Sequence, residues 1–254
     1  MISKSKLKFI RSLSLKKFRD TEDAFLAEGP KVVSELAAAF PCRMLVGRSD
    51  YLAGTHGIVS DEVVEVSQEE LERCSQMRMP QHCLAVFGRK RVAAQQMSAQ
   101  HDGLTLVLDD IQDPGNLGTI IRTCDWFGIR QIVCSANTAD AFQPKVVQAT
   151  MGALARVDIT YTDLPDFFSH CPADISIYGT FLDGENLFTA PIENRRAVIV
   201  MGNEGHGISR EAEAYIDRRL LIPNYPPGEV SGESLNVSIA TAITLAEFRR
   251  RKLV

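Results

Sequence analysis

Short apolar runs alternate with longer amphipathic stretches through most of the chain. From Leu104 onward, "LTLVLD", "QIVCS", "RVDITY", "ISIYGTFL", "AVIVMG" and "RLLIP" are brief and rich in aliphatic and β-branched residues. Runs of this length and composition predict buried strands. Between them, residues 116–127, "KVVQATMGAL" and "REAEAYI" carry helical character. The alternation predicts an α/β fold with a largely parallel sheet flanked by helices. Ligands of such sheets bind beyond the carboxyl ends of the strands.

A smaller α/β pattern comes first. "LKKFRDTEDAFLAEG" predicts a helix and then a strand, and Pro30 after Gly29 suits the first turn of the helix "PKVVSELAAAF". "CRMLVGR", "VVEVS" and "CLAVFGR" are strand-like, and Ser67 to Glu70 has the pattern of a capping box. The polar stretch "RKRVAAQQMSAQHDG" lacks an apolar face. The expected organisation is a domain over 1–92, a linker over 93–102 and a second domain over 103–254.

Composition narrows the class. The chain has 254 residues, 45% hydrophobic and 24% charged, as in soluble globular proteins. No apolar run is long enough to span a bilayer, and the basic N-terminus lacks the apolar core of a signal peptide. Cys42, Cys74, Cys83, Cys124, Cys134 and Cys171 form no C-x-x-C pair. They are expected to be reduced core residues of a cytoplasmic protein, with no metal bound.

The net charge of −4 is unevenly spread. Seven basic residues, among them Lys16, Lys17 and Arg19, precede the first acidic one, Asp20, and the chain ends near Arg249, Arg250, Arg251 and Lys252. Such clusters either meet phosphates or form a solvated helix face that complements a helix dipole.

Three loops at strand ends carry candidate chemistry. In "DDIQDPGNLGTIIRTCDWFGI", Pro114, Gly115 and Gly118 are expected to form a turn that leaves Asn116 near a helix start. Arg122 follows among Ile120, Ile121, Trp126 and Phe127, where a guanidinium on a buried side needs a carboxylate or phosphate partner. The dinucleotide and P-loop glycine fingerprints are absent, which counts against an ordinary nucleotide-binding enzyme. In "VIVMGNEGHGIS", three glycines directly follow a strand and allow close backbone approach to a ligand. Glu204 could accept from Arg122 or from a ligand, whereas His206 reads as a solvated bystander. In "IPNYPPGEVSGESLNVSIATAI", Ser234 and Asn236 stand where a helix begins, as caps, as site residues or as both. Leu235, Ile239, Ile243 and Ala246 follow at helical spacing.

Asn116-Leu117-Gly118…Arg122, Met201–Ser209 and Ile222–Ala240 with its "SLNVS" core closely resemble, in order, the three motifs of the SpoU (TrmH-like) branch of SPOUT RNA methyltransferases. The resemblance covers the whole second domain. The first domain, with "FLAEGPKVV", resembles an L7Ae/L30e-like substrate-binding module.

The resemblance implies a SPOUT-type α/β domain with a deep trefoil knot, a departure from the general rule that chains are unknotted. It implies a homodimer with its site close to the subunit interface, and S-adenosylmethionine as cofactor. The reaction implied is methylation of a ribose 2′-hydroxyl in structured RNA, ribosomal ahead of transfer RNA, with no membrane and no metal.

By motif position, Met201, Gly202, Asn203, Gly205, Ile222, Pro223, Leu235 and Asn236 would contact the cofactor, as would Thr180 at the end of "ISIYGT". Arg122 would be the catalytic arginine, with Asn116, Glu204, Ser234 and Asn236 forming a polar wall and Glu204 orienting Arg122. Lys16, Lys17 and Arg19 are candidate RNA contacts. The loop "NYPPGEVSGE" is longer than the family's common form, which leaves the target nucleotide open. The competing expectation is a non-catalytic RNA-binding or assembly protein that keeps the knotted fold.

Overall fold

The computed structural model describes residues 2–55, 57–89, 103–192, 196–226 and 234–252. The expected linker and residues 227–233 of the third motif lie outside them. The chain divides into two compact units, Met1–Arg91 with Asp140–Arg156, and Val92–Ala139 with Val157–Val254.

The first unit begins with α1 (Lys4–Ser12), α2 (Lys16–Glu22), β1 (Ala24–Glu28), α3 (Pro30–Ala37) and β2 (Cys42–Gly47). It continues with α4 (Ser49–Gly54), β3 (Val63–Glu65), α5 (Gln68–Cys74) and β4 (Cys83–Gly88). The four strands form a sheet in the order β1-β4-β2-β3, in which only β2 and β3 run parallel. Ile10, Leu13, Leu26, Val46, Leu71, Leu84 and Val86 build its core. The expected capping box is present: Ser67 Oγ accepts from Glu70 N–H, and the Glu70 carboxylate accepts from Ser67 N–H.

Arg19 is not a surface partner of Lys16 and Lys17. It is 2% exposed. Its Nη2 and Nε meet Asp140 Oδ2 at 2.7 and 3.0 Å, and its Nη1 donates to the Leu13 and Ser14 carbonyls at 2.8 Å each. A guanidinium with this many partners has no fork left for a phosphate. Lys16 and Lys17 are exposed.

Helix α7 (Pro144–Thr150) packs on β1, so the segment expected to flank the second sheet belongs to the first unit. Phe142, just before it, lies 5.0 Å from the Phe25 ring. A helical period says which face is apolar, not which sheet it covers. Met151 and Gly152 end the helix in left-handed backbone. A Cβ at Gly152 would stand 2.6 Å from Glu35 Cβ.

The second unit comprises β5 (Leu104–Leu108), α6 (Pro114–Trp126), β6 (Gln131–Cys134), β7 (Asp158–Tyr161), α8 (Leu164–Ser169), β8 (Ser176–Asn186), β9 (Ala197–Met201), α9 (Arg210–Glu213), β10 (Arg218–Leu221) and α10 (Val237–Lys252). Its six strands are all parallel, in the order β10-β8-β9-β5-β6-β7. The central pair, β5 and β9, is buried throughout, which explains a sequence that is apolar at every position but Thr105. Leu108 lies opposite Met201, so these two strands end side by side. Among the described residues, no helix is long and apolar enough to cross a membrane. Five of the six cysteines are buried and Cys171 is half-buried; none is in a disulfide.

Helix α10 turns a different face inward from the one its apolar spacing suggests. Leu235 and Ile239 are about half exposed, at 50% and 51%, while Val237, Thr241, Thr244, Leu245 and Phe248 are buried. Thr241 and Thr244 donate their hydroxyls to the carbonyls of Val237 and Ala240. With their polar atoms satisfied inside the helix, they bury as small apolar residues do.

The C-terminal arginines are used inside the unit. Arg249 Nε donates to Phe127 O at 2.7 Å, tying down the end of α6. Glu247, 5% exposed, binds Arg250 and Arg251, and Arg251 also donates to Leu187 O.

Candidate active site

Helix α6 starts earlier than the glycine pattern suggests. Asp113 is its N-cap and accepts from Asn116 N–H at 2.8 Å. Pro114 occupies the first turn, where a missing N–H costs nothing, so Pro114, Gly115 and Gly118 lie inside the helix rather than in a turn before it. Asn116 is thereby held one turn into α6, beside the ends of β5 and β9.

The loop after β9 closes on itself. Asn203 and Gly207 exchange two backbone hydrogen bonds, each 2.9 Å, and Asn203 Oδ1 accepts from Gly205 N–H at 2.7 Å and His206 N–H at 3.3 Å. Gly202 is required by this closure, because a Cβ there would sit 2.2 Å from the Gly207 carbonyl carbon. Gly207 has φ of +73°, in the left-handed region. Two of the glycines that suggested a ligand loop thus serve the loop's own geometry.

Side chains from the three motifs meet in one polar row. Asn116 Nδ2 donates to Glu204 Oε1 at 2.6 Å, and Asn236 Nδ2 donates to Asn116 Oδ1 at 2.9 Å. Asn236 Oδ1 accepts from Ser238 N–H at 3.0 Å and Ser238 Oγ at 2.6 Å, so the same residue opens α10 and joins the row. The capping role expected of Ser234 and Asn236 together falls to Asn236. Ser234 is exposed and makes no hydrogen bond among the described residues.

The expected pairing of Glu204 with Arg122 is not made within the chain. Glu204 is taken by Asn116, and Arg122 is exposed, with no hydrogen bond or ion pair among the described residues. Asn116 and Arg122 are six residues apart, about 600° of helical rotation, so they leave α6 in different directions. Arg122 shares its side of the helix with Trp126, which is 86% exposed rather than part of a core.

Of the remaining candidates, Met201 ends β9, Ile222 and Pro223 follow β10, and Leu235 precedes α10. Thr180 stands midway along β8, next to Gly179, which pairs with Val200. Thr180, on β8, places Oγ1 3.5 Å from Val200 O and 3.6 Å from Met201 Sδ. Met201 is buried, and its carbonyl accepts from Asp109 N–H at 2.9 Å. Ile222 and Pro223 follow β10 and are half-buried, while Leu235 is half exposed.

This donor set fits a nucleoside-bearing sulfonium. Half-buried Ile222 and Pro223 offer apolar faces to an adenine, and backbone groups and the Thr180 hydroxyl offer polar contacts. The carboxylate of Glu204 favours a cation nearby. Among the described residues, no group of three or more His, Cys, Asp or Glu side chains could hold a metal ion.

The motif reading passed over three carboxylates in "DDIQDP". Asp113 caps α6, and buried Asp109 accepts from Ser209 N–H at 2.8 Å, fixing the far end of the motif 2 loop. Asp110 accepts from Asn203 Nδ2 through its carbonyl at 2.7 Å. The signal available was their position directly after a buried strand.

Comparison with known proteins gives consistent results. Residues 103–246 match the sequence model of the SpoU rRNA Methylase family, and residues 4–85 match the MRM3-like substrate binding domain. The chain is similar to the 23S rRNA (guanosine(2553)-2′-O)-methyltransferase RlmP of Bacillus subtilis, 27% identical over 96% of each protein. Its fold is similar to that of a TrmH-family protein of Porphyromonas gingivalis, with TM-score 0.88, 45% identity and 99% of each chain covered. An AdoMet-bound rRNA methyltransferase of Sinorhizobium meliloti superposes with TM-score 0.85 at 30% identity, over 100% of this chain and 97% of that one.

Proposed function

The chain belongs to the SpoU rRNA methylase family, and from that premise we propose that it methylates a ribose 2′-hydroxyl of ribosomal RNA with S-adenosylmethionine. The observation that carries the proposal is the row Glu204–Asn116–Asn236, which joins all three motifs at the carboxyl ends of β5 and β9. A non-catalytic protein that kept only the fold would have no need for this row.

The cofactor, when bound, supplies an electrophilic methyl group. The chain has to orient a weakly acidic hydroxyl in line with it and stabilise the charge that develops on oxygen. Asn116, fixed on one side by Glu204 and on the other by Asn236, presents a preorganised amide to the ribose. The Arg122 guanidinium serves as an electrostatic clamp on the ribose oxygen and its adjacent phosphate. Backbone groups at Met201, Gly202, Asn203, Gly205, Ile222, Pro223 and Leu235, with the Thr180 hydroxyl and Asn236, hold the cofactor. Ser234 completes the polar wall.

The protein acts as a homodimer in this proposal. Trp126, Leu235 and Ile239 support it, because apolar side chains this exposed mark interaction surfaces. Arg122, on the side of α6 that bears Trp126, then reaches the site of the partner subunit. The second and third motifs form a deep trefoil knot, and the location is cytoplasmic. The first unit binds the RNA, with exposed Lys16 and Lys17 among its phosphate contacts.

The test is transfer of label from S-adenosylmethionine to total RNA of cells lacking the protein, followed by digestion to nucleosides. Label in 2′-O-methyl nucleosides of ribosomal RNA is expected. Label on a base, or none on any RNA including intact ribosomal subunits, would overturn the proposal.

A further inference from the structure

We propose that Asp110 and His206 are positioning residues for this reaction, forming a second anchor that sets how Glu204 approaches Asn116. The inference rests on the role given above to the polar row.

Asp110 stands two residues beyond the end of β5 and has a φ of 59°. Left-handed backbone is uncommon outside glycine, and strain of this kind persists where the surroundings over-determine it. Every polar group of Asp110 is engaged. Its N–H donates to Ser135 Oγ at 2.8 Å, and its carbonyl accepts from Asn203 Nδ2. Its carboxylate accepts from Gln112 Nε2 at 3.0 Å and faces His206 Nε2 at 3.2 Å. The turn thus aims both carbonyl and carboxylate at the loop that carries Glu204.

That loop is braced internally by Asn203 and closed by the Asn203–Gly207 backbone pair. On either side of Gly205, Glu204 reaches the first turn of α6 and His206 reaches the β5–α6 connection that leads into it. Glu204 reaches Asn116 and His206 reaches Asp110. The internal bonds shape the loop, and the two outward contacts tie its tip on both sides to the segment after β5. Among the described residues, Asp110 is the one carboxylate within ion-pair distance of the His206 ring. Glu204 is engaged by Asn116, and Asp109 by Ser209 N–H.

The two anchors divide the work. Asn203 is held chiefly by the Asp110 carbonyl at 2.7 Å, which no side-chain substitution removes, and at a longer 3.4 Å by Asp110 Oδ2. Loss of the His206 ring therefore frees the Glu204 end of the loop and leaves the backbone after β9 in place. Of the backbone groups given to the cofactor only Gly205 lies at that freed tip, so the effect falls on turnover more than on cofactor binding.

The experiment compares full-length wild type, His206→Ala, His206→Gln, Asp110→Asn and the double variant Asp110→Asn/His206→Ala. The readouts are methyl transfer to ribosomal RNA and amide hydrogen exchange at Gly205 and His206. His206→Ala is expected to lower kcat about 5- to 10-fold, with the KM for S-adenosylmethionine within about twofold. His206→Gln, whose amide nitrogen reaches the same carboxylate, is expected to recover most of the loss. The double variant is expected to be no slower than the slower single one. Unchanged kcat in His206→Ala, no rescue by Gln, or losses that multiply would each overturn the inference. Amide exchange needs no activity: faster exchange in His206→Ala supports the anchor, and unchanged exchange overturns it. Absence of transfer by the wild type would instead count against the proposed function, with the anchor then judged by exchange alone.

Discussion

Asn236 and Asn116, 120 positions apart, meet amide to amide, Nδ2 of Asn236 donating to Oδ1 of Asn116 at 2.9 Å. The direction of this bond is dictated from one end. Asn236 Oδ1 must accept from the N–H groups at the start of α10, which leaves only its NH2 to face Asn116. Asn116 then has to present its oxygen to Asn236 and its NH2 to Glu204. A helix cap thereby sets the polarity of the whole row.

Replacing Asn236 by Asp separates the two roles. The carboxylate still caps α10 but places an acceptor against the Asn116 oxygen. Asn236→Asp is expected to keep its stability within about 1 kcal/mol while methyl transfer falls about 100-fold. Thermal melts beside kcat measurements check this.

Arg19 and its exposed neighbours should behave oppositely. Arg19→Ala leaves Asp140 as a lone shielded charge, with an expected cost of about 3–5 kcal/mol in chemical denaturation. Lys16→Ala/Lys17→Ala should leave stability unchanged. It should weaken RNA binding and flatten its salt dependence, by up to about two units of the log–log slope.

Glu247 provides a pH test. Hydrogen bonds from Arg250, followed by Arg251, outweigh burial and hold its carboxyl at about 2. A depressed carboxyl stabilises the fold fully above its unfolded value, about 4.3. That contribution is lost as pH falls toward 2. Glu247→Gln should therefore melt lower than wild type at pH 7. The gap should narrow between about pH 4.5 and pH 2, as scanning calorimetry at several pH values would read.

The proposed dimer is testable by complementation. Trp126→Glu should shift sedimentation to the monomer and abolish transfer. Mixing Arg122→Ala with Asn236→Ala subunits should restore activity to about a quarter of wild type, since random pairing gives half heterodimers with one intact site each. No recovery would place Arg122 in its own subunit's site.

Much of this fold is written locally. The strands β5 and β9 are legible because both faces are buried and their sequences are apolar at every position but Thr105. The capping box at Ser67 is legible because its two hydrogen bonds need only residues of one turn. Helices α1, α4 and α8 are short and part-exposed, so their apolar residues make no full stripe. For α8 the only pointers are Asp163 as cap and a proline in the first turn. The face of α10 is misread because buried Thr241 and Thr244 share the packing with Val237, Leu245 and Phe248. The motif residues Asn116, Glu204 and Asn236 can be picked out in sequence, but their direct contacts cannot, nor can the separation of Arg122 from Glu204. Those depend on helix phase and on strands distant in sequence.

The most direct measurement is single-turnover methyl transfer to ribosomal RNA by wild type and Arg122→Ala, with matched thermal melts. Arg122 makes no hydrogen bond or ion pair among the described residues, so its removal should leave stability intact. The expected result is an unchanged melt and a rate of 2′-O-methyl formation lowered at least about 100-fold. An Arg122→Ala protein that melts as wild type and transfers methyl groups at the wild-type rate would contradict the account.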